Sequence, residues 1–519
     1  MENTINDTLK RLRDGNFITE NDFKRLSPKG SQPGILYGCS KIHKQLVGNC
    51  PPMRPILSSI NTPNYTLAKF LVPLLSDITI NEFSVKDSFS FANEIRLQDS
   101  KYIMASFDVE SLFSNIPLTE TIQICCDELY KNTNVVNGLR KHDMSDLLSL
   151  SVKNSIFLFN DRFYMQSEGV AMGSPLGPTL ANSFLCFHEK NWLDNCPSQF
   201  KPVFYRRYVD DIFLLFETKD HVKKFEKYLN SRHGNIKFTV EIEVNDKLSF
   251  LDIEIHRTDH EFKTSLYRKP TFSGIYTNFK SFTPVLYKRG LLFSLLYRVY
   301  NICSDHELML EEIDKLKSIW RKNLYPNTLI KSCINVFFSK LFIEKAVKHT
   351  VPKKELFLSL PYLGIQSLQV RKRLNLLFKD YLPYCNLKIV FNSKSRLKNL
   401  FVFKDKIPIY MKSRLIYKFT CSICKVAYIG KTNRHFHVRY NEHLGLSKLT
   451  NKPLKYNKQS TTAVREHIRN CNHSASNNDF KIIGSDNNPY HLLLKESLSI
   501  FMEDPVLNKT VKSFPLELF

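Results

Sequence analysis

The sequence predicts an α+β protein of several domains. Three observations lead there. The chain has 519 residues, a length suited to about three to four domains. Its composition, 43% hydrophobic and 24% charged, is that of a globular protein. Short strand-like runs alternate with stretches of helical period, and one run stands out. FYRRYVDDIFLLFE, residues 204–217, sets two apolar, aromatic-rich segments around a bare acidic pair, Asp210 and Asp211. That pattern is a β-hairpin with carboxylates at its tip. Adjacent carboxylates repel unless a cation sits between them. A divalent metal, which prefers carboxylate oxygens, is suited to the place.

The net charge of +24 implies a polyanionic partner, nucleic acid before membrane surface. No apolar run approaches the roughly 20 residues that span a bilayer. The longest candidate, GLLFSLLYRVY at 290–300, is broken by Arg298. The twelve cysteines form no repeating framework, and the opening MENTINDTLK is not a charged-then-apolar signal segment. A reducing, intracellular compartment with free or metal-bound thiols follows.

Taken in order, Thr19 with Asp22 before Phe23 marks a helix start. GILYGCSKIHK (34–44) and PPMRPILSS (51–59) are strand-like and carry Lys41, Lys44 and Arg54, cations suited to a triphosphate or a template backbone. KYIMASFDVESLF (101–113) is an apolar strand running into Asp108, a carboxylate that the sheet can fix while water still reaches it. PLTETIQICCDELYK reads as a helix begun by Pro117 and Thr119. SIFLFNDRFYMQSE (155–168) is a hairpin turning at Asn160-Asp161. GVAMGSPLGPTLANSFLCF (169–187) is broken by glycines and prolines before a helix begins; its small residues, Gly173 among them, let backbone approach a ligand. A helix over 219–231 follows the acidic hairpin. IKFTVEIEV (236–244) and LSFLDIEIHR (248–257) are expected to pair as two strands. Asp108, Asp210 and Asp211 drawn together can hold two Mg²⁺ ions, the arrangement that in-line phosphoryl transfer needs.

The order FDVESLFSNIP, GVAMGSPLGP, YVDD resembles motifs A, B and C of reverse transcriptases. YGCSKIHK…PMRPILSS, FLDIEI and LYRKPTFSGIYTNF are similar to the Penelope-like retroelement group, over roughly 30–275. The resemblance implies a right-hand polymerase with fingers and palm over 1–275. Asp108 and Asp210 would be metal ligands with Asp211 beside them, and Arg54 would meet the incoming triphosphate. Phe113 would be the steric gate against a ribose 2′-hydroxyl. Met172, where many polymerases have Gln, would make an apolar dNTP contact. Residues 276–370 carry helical periodicity with basic outer faces, and their position fits a helical thumb on template–primer backbone. From 371 to 420 there are thirteen Lys or Arg and two acidic residues. We read 371–412 as a basic connector with short strands at LKIVF and NLFVFK.

The last segment, 413–519, opens with RLIYKFTCSICKVAYIGKTNRHFHVRYNEHL. LIYKFT and VAYIGKT are strand-like. NRHFHVRYNEHL is a helix, with Asn433 as its cap and His435, Arg439 and His443 on one face. Cys421-x2-Cys424 followed by REHIRNCNH is a zinc signal. His467-x3-Cys471 has finger-like spacing, while the resemblance to the Penelope-like group implies His467 and His473 as the completing ligands. This stretch resembles the GIY-YIG nuclease family. YIG is intact at 428–430, while LIY replaces GIY, a departure that Penelope-like members tolerate. By that match Tyr428 or Tyr417 would help deprotonate the attacking water and Arg439 would stabilise the phosphate. Glu496 would hold one Mg²⁺, and Asn508 would be the family's late asparagine.

Together these resemblances imply a reverse transcriptase joined to a small α/β nuclease domain with an inserted zinc site. Its partners would be an RNA template, a DNA target and primer, and dNTPs, with no membrane, and its place of work the nucleus. The alternatives are a domesticated copy that only binds nucleic acid, and an enzyme acting on existing chromosome ends. Oligomeric state is not legible.

Overall fold

The computed structural model describes residues 1–42, 46, 48–342, 354–392, 400–401, 404–447, 452–453 and 461–508. Lys44 and, within NLFVFK, residues 399, 402 and 403 lie outside them.

Two helices open the chain, Glu2–Asp14 and Glu20–Leu26. Thr19 caps the second by accepting from the Asp22 amide at 3.0 Å, as its spacing predicts. Ile5, Leu9 and Leu12 bury themselves against Leu67, Leu71, Leu118 and Leu147. Above this core lies a four-stranded sheet in the order Met53–Ser58, Gly34–Ser40, Ile156–Phe159, Arg162–Met165. The last two strands form the predicted hairpin, with Asn160 and Asp161 at φ +50° and +57°. Two successive positive φ values are what a tight, twisted hairpin turn requires.

A second four-stranded antiparallel sheet runs Phe238–Ile242, Ile103–Val109, Asp211–Phe216, Phe204–Tyr208. Its third strand explains the unbroken apolar run IFLLF. Ile212, Leu214 and Phe216 face Phe184 and Phe225 on one side. Phe213 and Leu215 face Phe91 and Phe250 on the other. Both faces are therefore covered, and every residue of the strand after Asp211 is buried.

The expected pairing of 236–244 with 248–257 is corrected. Phe238–Ile242 pairs instead with Ile103–Val109, Thr239 opposite Asp108. LSFLDIEIHR folds on itself as Lys247–Phe250 and Ile253–Arg257, with Phe262–Leu266 as a third strand. The break falls at Leu251, φ +57°, and Asp252, whose carboxylate is taken by Ser88 and Arg298. Alternation marks both segments as strands but carries no information about partner.

Three helices, Val285–Ile302, His306–Lys322 and Asn327–Phe342, pack around Trp320, Leu296 and Ile330. The following segment is a parallel β-α-β unit: Lys354–Pro361, Ile365–Tyr381, Cys385–Asn392. The boundary expected between 370 and 371 thus falls inside a helix, and a strand lies in the span read as helical. The basic run at 371–373 lies on the solvent side of that helix and marks no break in the fold.

The C-terminal module is a three-stranded antiparallel sheet, Ala427–Thr432, Leu415–Thr420, Phe480–Ser485. Helices Phe436–Leu444, Ala463–Asn470 and Pro489–Glu503 flank it. Asn433 is not the cap of the first; His435 takes that position without a side-chain bond. The module sits directly on the N-terminal region. Ser413 Oγ donates to the Gly30 carbonyl at 2.5 Å, His435 Nε2 lies 2.5 Å from the Ser31 carbonyl, and Arg414 reaches Asn61 at 3.1 Å. Gly30, φ +65°, is required there: a Cβ would stand 2.3 Å from the Asn433 carbonyl. No helix among the described residues is long and apolar enough to cross a membrane.

Candidate catalytic sites

The first site is built by strand register. Asp108 and Asp211 are directly opposite in the antiparallel ladder, so their Cα atoms are about 5 Å apart. Tyr208 pairs with Asp211, which leaves Val209-Asp210 as a two-residue turn. The Asp210 carbonyl accepts from the Val109 amide at 3.2 Å. All three carboxylates therefore meet at one end of the sheet. The Asp211 carboxyl is pushed up to about 6 by desolvation and then by Asp210 and Asp108, with Lys269 opposing. Like-charged groups held this close suit a hard divalent cation, which would relieve their repulsion.

Around this cluster, Phe113 lies on the turn Leu112–Asn115, and its carbonyl accepts from the Val170 amide at 2.7 Å. Gly173, φ +121°, abuts the Leu57 backbone: a Cβ there would lie 2.3 Å from the Leu57 carbonyl. The Leu57 amide donates to Met172 at 2.8 Å and Ser59 Oγ to Gly173 at 2.7 Å. The close approach that Gly173 allows is thus to the neighbouring strand, not to open space. Arg54 is exposed on strand Met53–Ser58 opposite Cys39, and Lys41 follows Gly34–Ser40. Arg54 thus stands on the first sheet and Lys41 just past its strand Gly34–Ser40, whereas the carboxylates belong to the second sheet. Sequence reasoning missed Arg207, whose side chain is 2% exposed and bonds Glu189 beneath the turn. Glu189 reads as an ordinary helix glutamate, so no pattern pointed to the pair.

The second site lies in the C-terminal module. Tyr417 and Gly430 are register partners. A Cβ on Gly430 would lie 2.8 Å from the Tyr417 hydroxyl and 3.0 Å from that of Tyr428, so the glycine makes room for both. The Tyr417 ring is wholly buried. Arg439 Nε donates to its hydroxyl at 2.8 Å, and His443 Nε2 lies 2.7 Å from it. Burial, then Arg439, push the His443 ring down to about 3, so it is neutral. The tyrosine proton then goes to His443 Nε2, and Nδ1–H donates to Thr462 Oγ1 at 2.9 Å. Desolvation drives the Tyr417 hydroxyl far upward. Tyr417 therefore cannot meet an attacking water; its bonds orient Arg439. Tyr428 is the tyrosine that lines the open cavity.

That cavity, about 780 Å³, is walled by Tyr428, Lys431, Arg439, His467, Glu496 and Asn508. Glu496 Oε2 lies 3.1 Å from Lys431 Nζ. Asn508 both accepts from and donates to the Ile429 backbone, at 2.9 and 2.7 Å, and so pins the strand bearing Tyr428. Leu415, where the resemblance lacks its first glycine, is buried in the module's core. A smaller, apolar cavity of about 160 Å³ at the seam between the N-terminal region and this module holds none of the candidate catalytic residues.

Beside the second site, Cys421, Cys424, His467 and His473 bring one ligand atom each within 4.8 Å of one another. Cys421 Sγ is 3.4 Å from His473 Nδ1, and Cys424 Sγ 3.5 Å from His467 Nε2. Tetrahedral zinc, with bonds of ~2.3 Å to sulfur and ~2.0 Å to nitrogen, separates such a pair by about 3.5 Å. The donor set and its spacing fit that ion. Cys471 Sγ lies 3.5 Å from the other nitrogen of His467 and is outside the group. Glu120, His188 and His233 also cluster. There the Asn235 amide donates to His233 Nδ1, so His233 Nε2–H donates to Glu120 and that nitrogen keeps no lone pair for a metal. This is a hydrogen-bonded set.

Residues 42–251 match the family described as reverse transcriptase (RNA-dependent DNA polymerase), and residues 275–335 that of an animal helix-turn-helix domain. The chain thus carries a reverse transcriptase domain followed by a match on the helices after it. No curated protein matches the chain. Among solved structures, it is similar to apo telomerase from Candida tropicalis truncated from its C-terminal domain. The identity is 15% and the TM-score 0.33, over 45% of this chain and 57% of that one. Telomerase from Candida albicans with a fragment of telomeric RNA gives 13% and 0.39, over 59% and 62%. The Sicinivirus 3Dpol RNA-dependent RNA polymerase gives 13% and 0.38, over 62% and 71%. The chain spans less than two thirds of the length of these two telomerases.

Proposed function

We propose that this chain, with its reverse transcriptase domain at 42–251, is the RNA-directed DNA polymerase of a Penelope-like retroelement, joined to a GIY-YIG endonuclease. The nuclease would nick target DNA, and the freed 3′-hydroxyl would prime copying of the element's RNA. The observation that carries the polymerase half is the register that sets Asp108 against Asp211 at the end of the antiparallel sheet. Asp108, Asp210 and Asp211 would hold two Mg²⁺ ions, which when bound activate the primer hydroxyl and neutralise phosphate charge. Arg54 and Lys41 would bind the triphosphate, Phe113 would exclude a 2′-hydroxyl, and Met172 with Gly173 would border the nucleotide.

For the nuclease half, Tyr428 faces the cavity and would assist the attacking water. Arg439, oriented by Tyr417, would stabilise charge on the phosphate. Glu496 would hold a single Mg²⁺, and the Cys421–Cys424–His467–His473 set a structural zinc. RNA template, target DNA, primer and dNTPs are the partners of this reading, and the nucleus its place of work.

Asp210→Asn should abolish dNTP incorporation on an RNA template and leave nicking intact. Glu496→Ala should do the reverse. Loss of both activities in either folded variant would refute the two-site reading. Wild-type protein that binds nucleic acid but neither extends nor nicks would favour a domesticated copy.

A further inference from the structure

The acidic turn contains an unfavourable residue. Val209 sits at φ +58°, in the left-handed region. A β-branched side chain there costs roughly 1–2 kcal/mol, and Gly or Asn would be preferred. Something must hold the turn in that shape. Its Asp210 carbonyl is tied to Val109, on the strand of Asp108. Its Val209 carbonyl accepts from Arg207 Nη1 at 3.1 Å.

Arg207 is itself fixed by one helix, Gly177–Asp194. Its Nε donates to Glu189 Oε2 at 2.5 Å, its Nη1 also to Asn182 Oδ1 at 3.0 Å, and its Nη2 lies 3.2 Å from Cys186 Sγ. The Arg207 amide and carbonyl are bound to Phe83 and Val85, at 2.8 Å each. Both partners of the ion pair are buried, at 2% and 1% exposure. A buried pair of this kind is a poor source of stability, because a well-packed apolar pair serves as well. What an apolar pair cannot do is donate to the Val209 carbonyl. Lysine cannot do it while also serving Glu189 and Asn182, because it lacks the planar fork.

We propose that Arg207 is a positioning residue for the polymerase reaction: it holds Val209 in its strained shape so that Asp210 is presented beside Asp108. Glu189 supplies the counter-charge that lets a guanidinium sit there. The inference rests on the polymerase reading above and adds to it the device that fixes the metal-binding carboxylate.

The test is primer extension by the full chain, titrated with Mg²⁺. Arg207→Lys keeps the charge pair and loses the fork. Arg207→Met with Glu189→Leu replaces the pair by apolar side chains. Both should remain folded, lose roughly tenfold or more in kcat, and need several-fold more Mg²⁺ for half-maximal rate, with KM for dNTP little changed. Val209→Gly added to either should restore part of the loss, because it removes the strain that Arg207 opposes. Unchanged kcat and Mg²⁺ dependence in folded Arg207→Lys would overturn the proposal. So would a rate loss with unaltered Mg²⁺ dependence and no recovery from Val209→Gly, the signature of a merely structural residue. A wild-type chain that extends no primer would instead remove the polymerase reading, and this inference with it.

Discussion

Asp211→Asn should make the metal-free protein more stable at neutral pH. The Asp211 carboxyl stands at about 6, against an ordinary 3.8, because of desolvation and the nearby charges of Asp210 and Asp108. A carboxyl raised in the folded state holds its proton more tightly there than in the unfolded chain. As pH rises from 3.8 to about 6 the unfolded chain ionises first, so stability falls through that window and the full penalty is present above it. The gap corresponds to ~3 kcal/mol. Asp211 is only partly buried, and solvent screening reduces the figure to about 1–2 kcal/mol. For a folding unit of this size that is roughly 2–8 °C in Tm. Asparagine carries no charge at any pH and escapes the penalty. Calorimetry in EDTA from pH 5 to pH 8 should show the variant melting higher at pH 7.5, with the advantage shrinking toward pH 5. Added Mg²⁺ should then raise the wild type more than the variant. A variant that melts lower at pH 7.5 in EDTA, or whose advantage is the same at every pH, would refute the reasoning.

Three further outcomes are expected. Gly173→Ala drives a Cβ to 2.3 Å from the Leu57 carbonyl in a left-handed backbone, so it should cost about 2 kcal/mol or more in denaturant unfolding. Tyr417→Phe strips the half-buried Arg439 and the buried His443 nitrogens of their shared partner. It should cost about 1–3 kcal/mol and reduce nicking without altering dNTP incorporation, read on the same preparation. Cys424→Ser should remove one equivalent of zinc by elemental analysis and lower the melting of the C-terminal module, whereas Cys471→Ser should change neither.

Much of this molecule was legible because its signals are local. The period-2 runs around Asp210-Asp211, the Asn160-Asp161 turn and the Thr19 cap each depend on a few adjacent residues. The CxxC with its later histidines is a spacing signal of the same kind, and the structure brings those four side chains together. What escaped depends on distant partners. Phe238–Ile242 alternates like any half-buried strand, and nothing in it says that its neighbour is the strand of Asp108. Tyr417 and Tyr428 look equivalent in sequence; only the strand register decides that one is sealed in the core and the other faces the cavity. Glu189 and Arg207 are 18 positions apart, and each resembles a solvated charge until the helix is laid on the sheet. The helix over 365–381 was hidden because its exposed basic face imitates the composition of a linker.

The contacts of Ser413, Arg414 and His435 with residues 30, 31 and 61 have a consequence for traffic between the two centres. The C-terminal module is bolted to the opening segment of the chain, not hung from a leash. On the proposed function, the cutting and copying centres keep a constant separation, so a freshly cut strand must do the travelling. The length of single strand that has to peel away before copying begins is then a property of the protein's architecture, and it should be the same for every target.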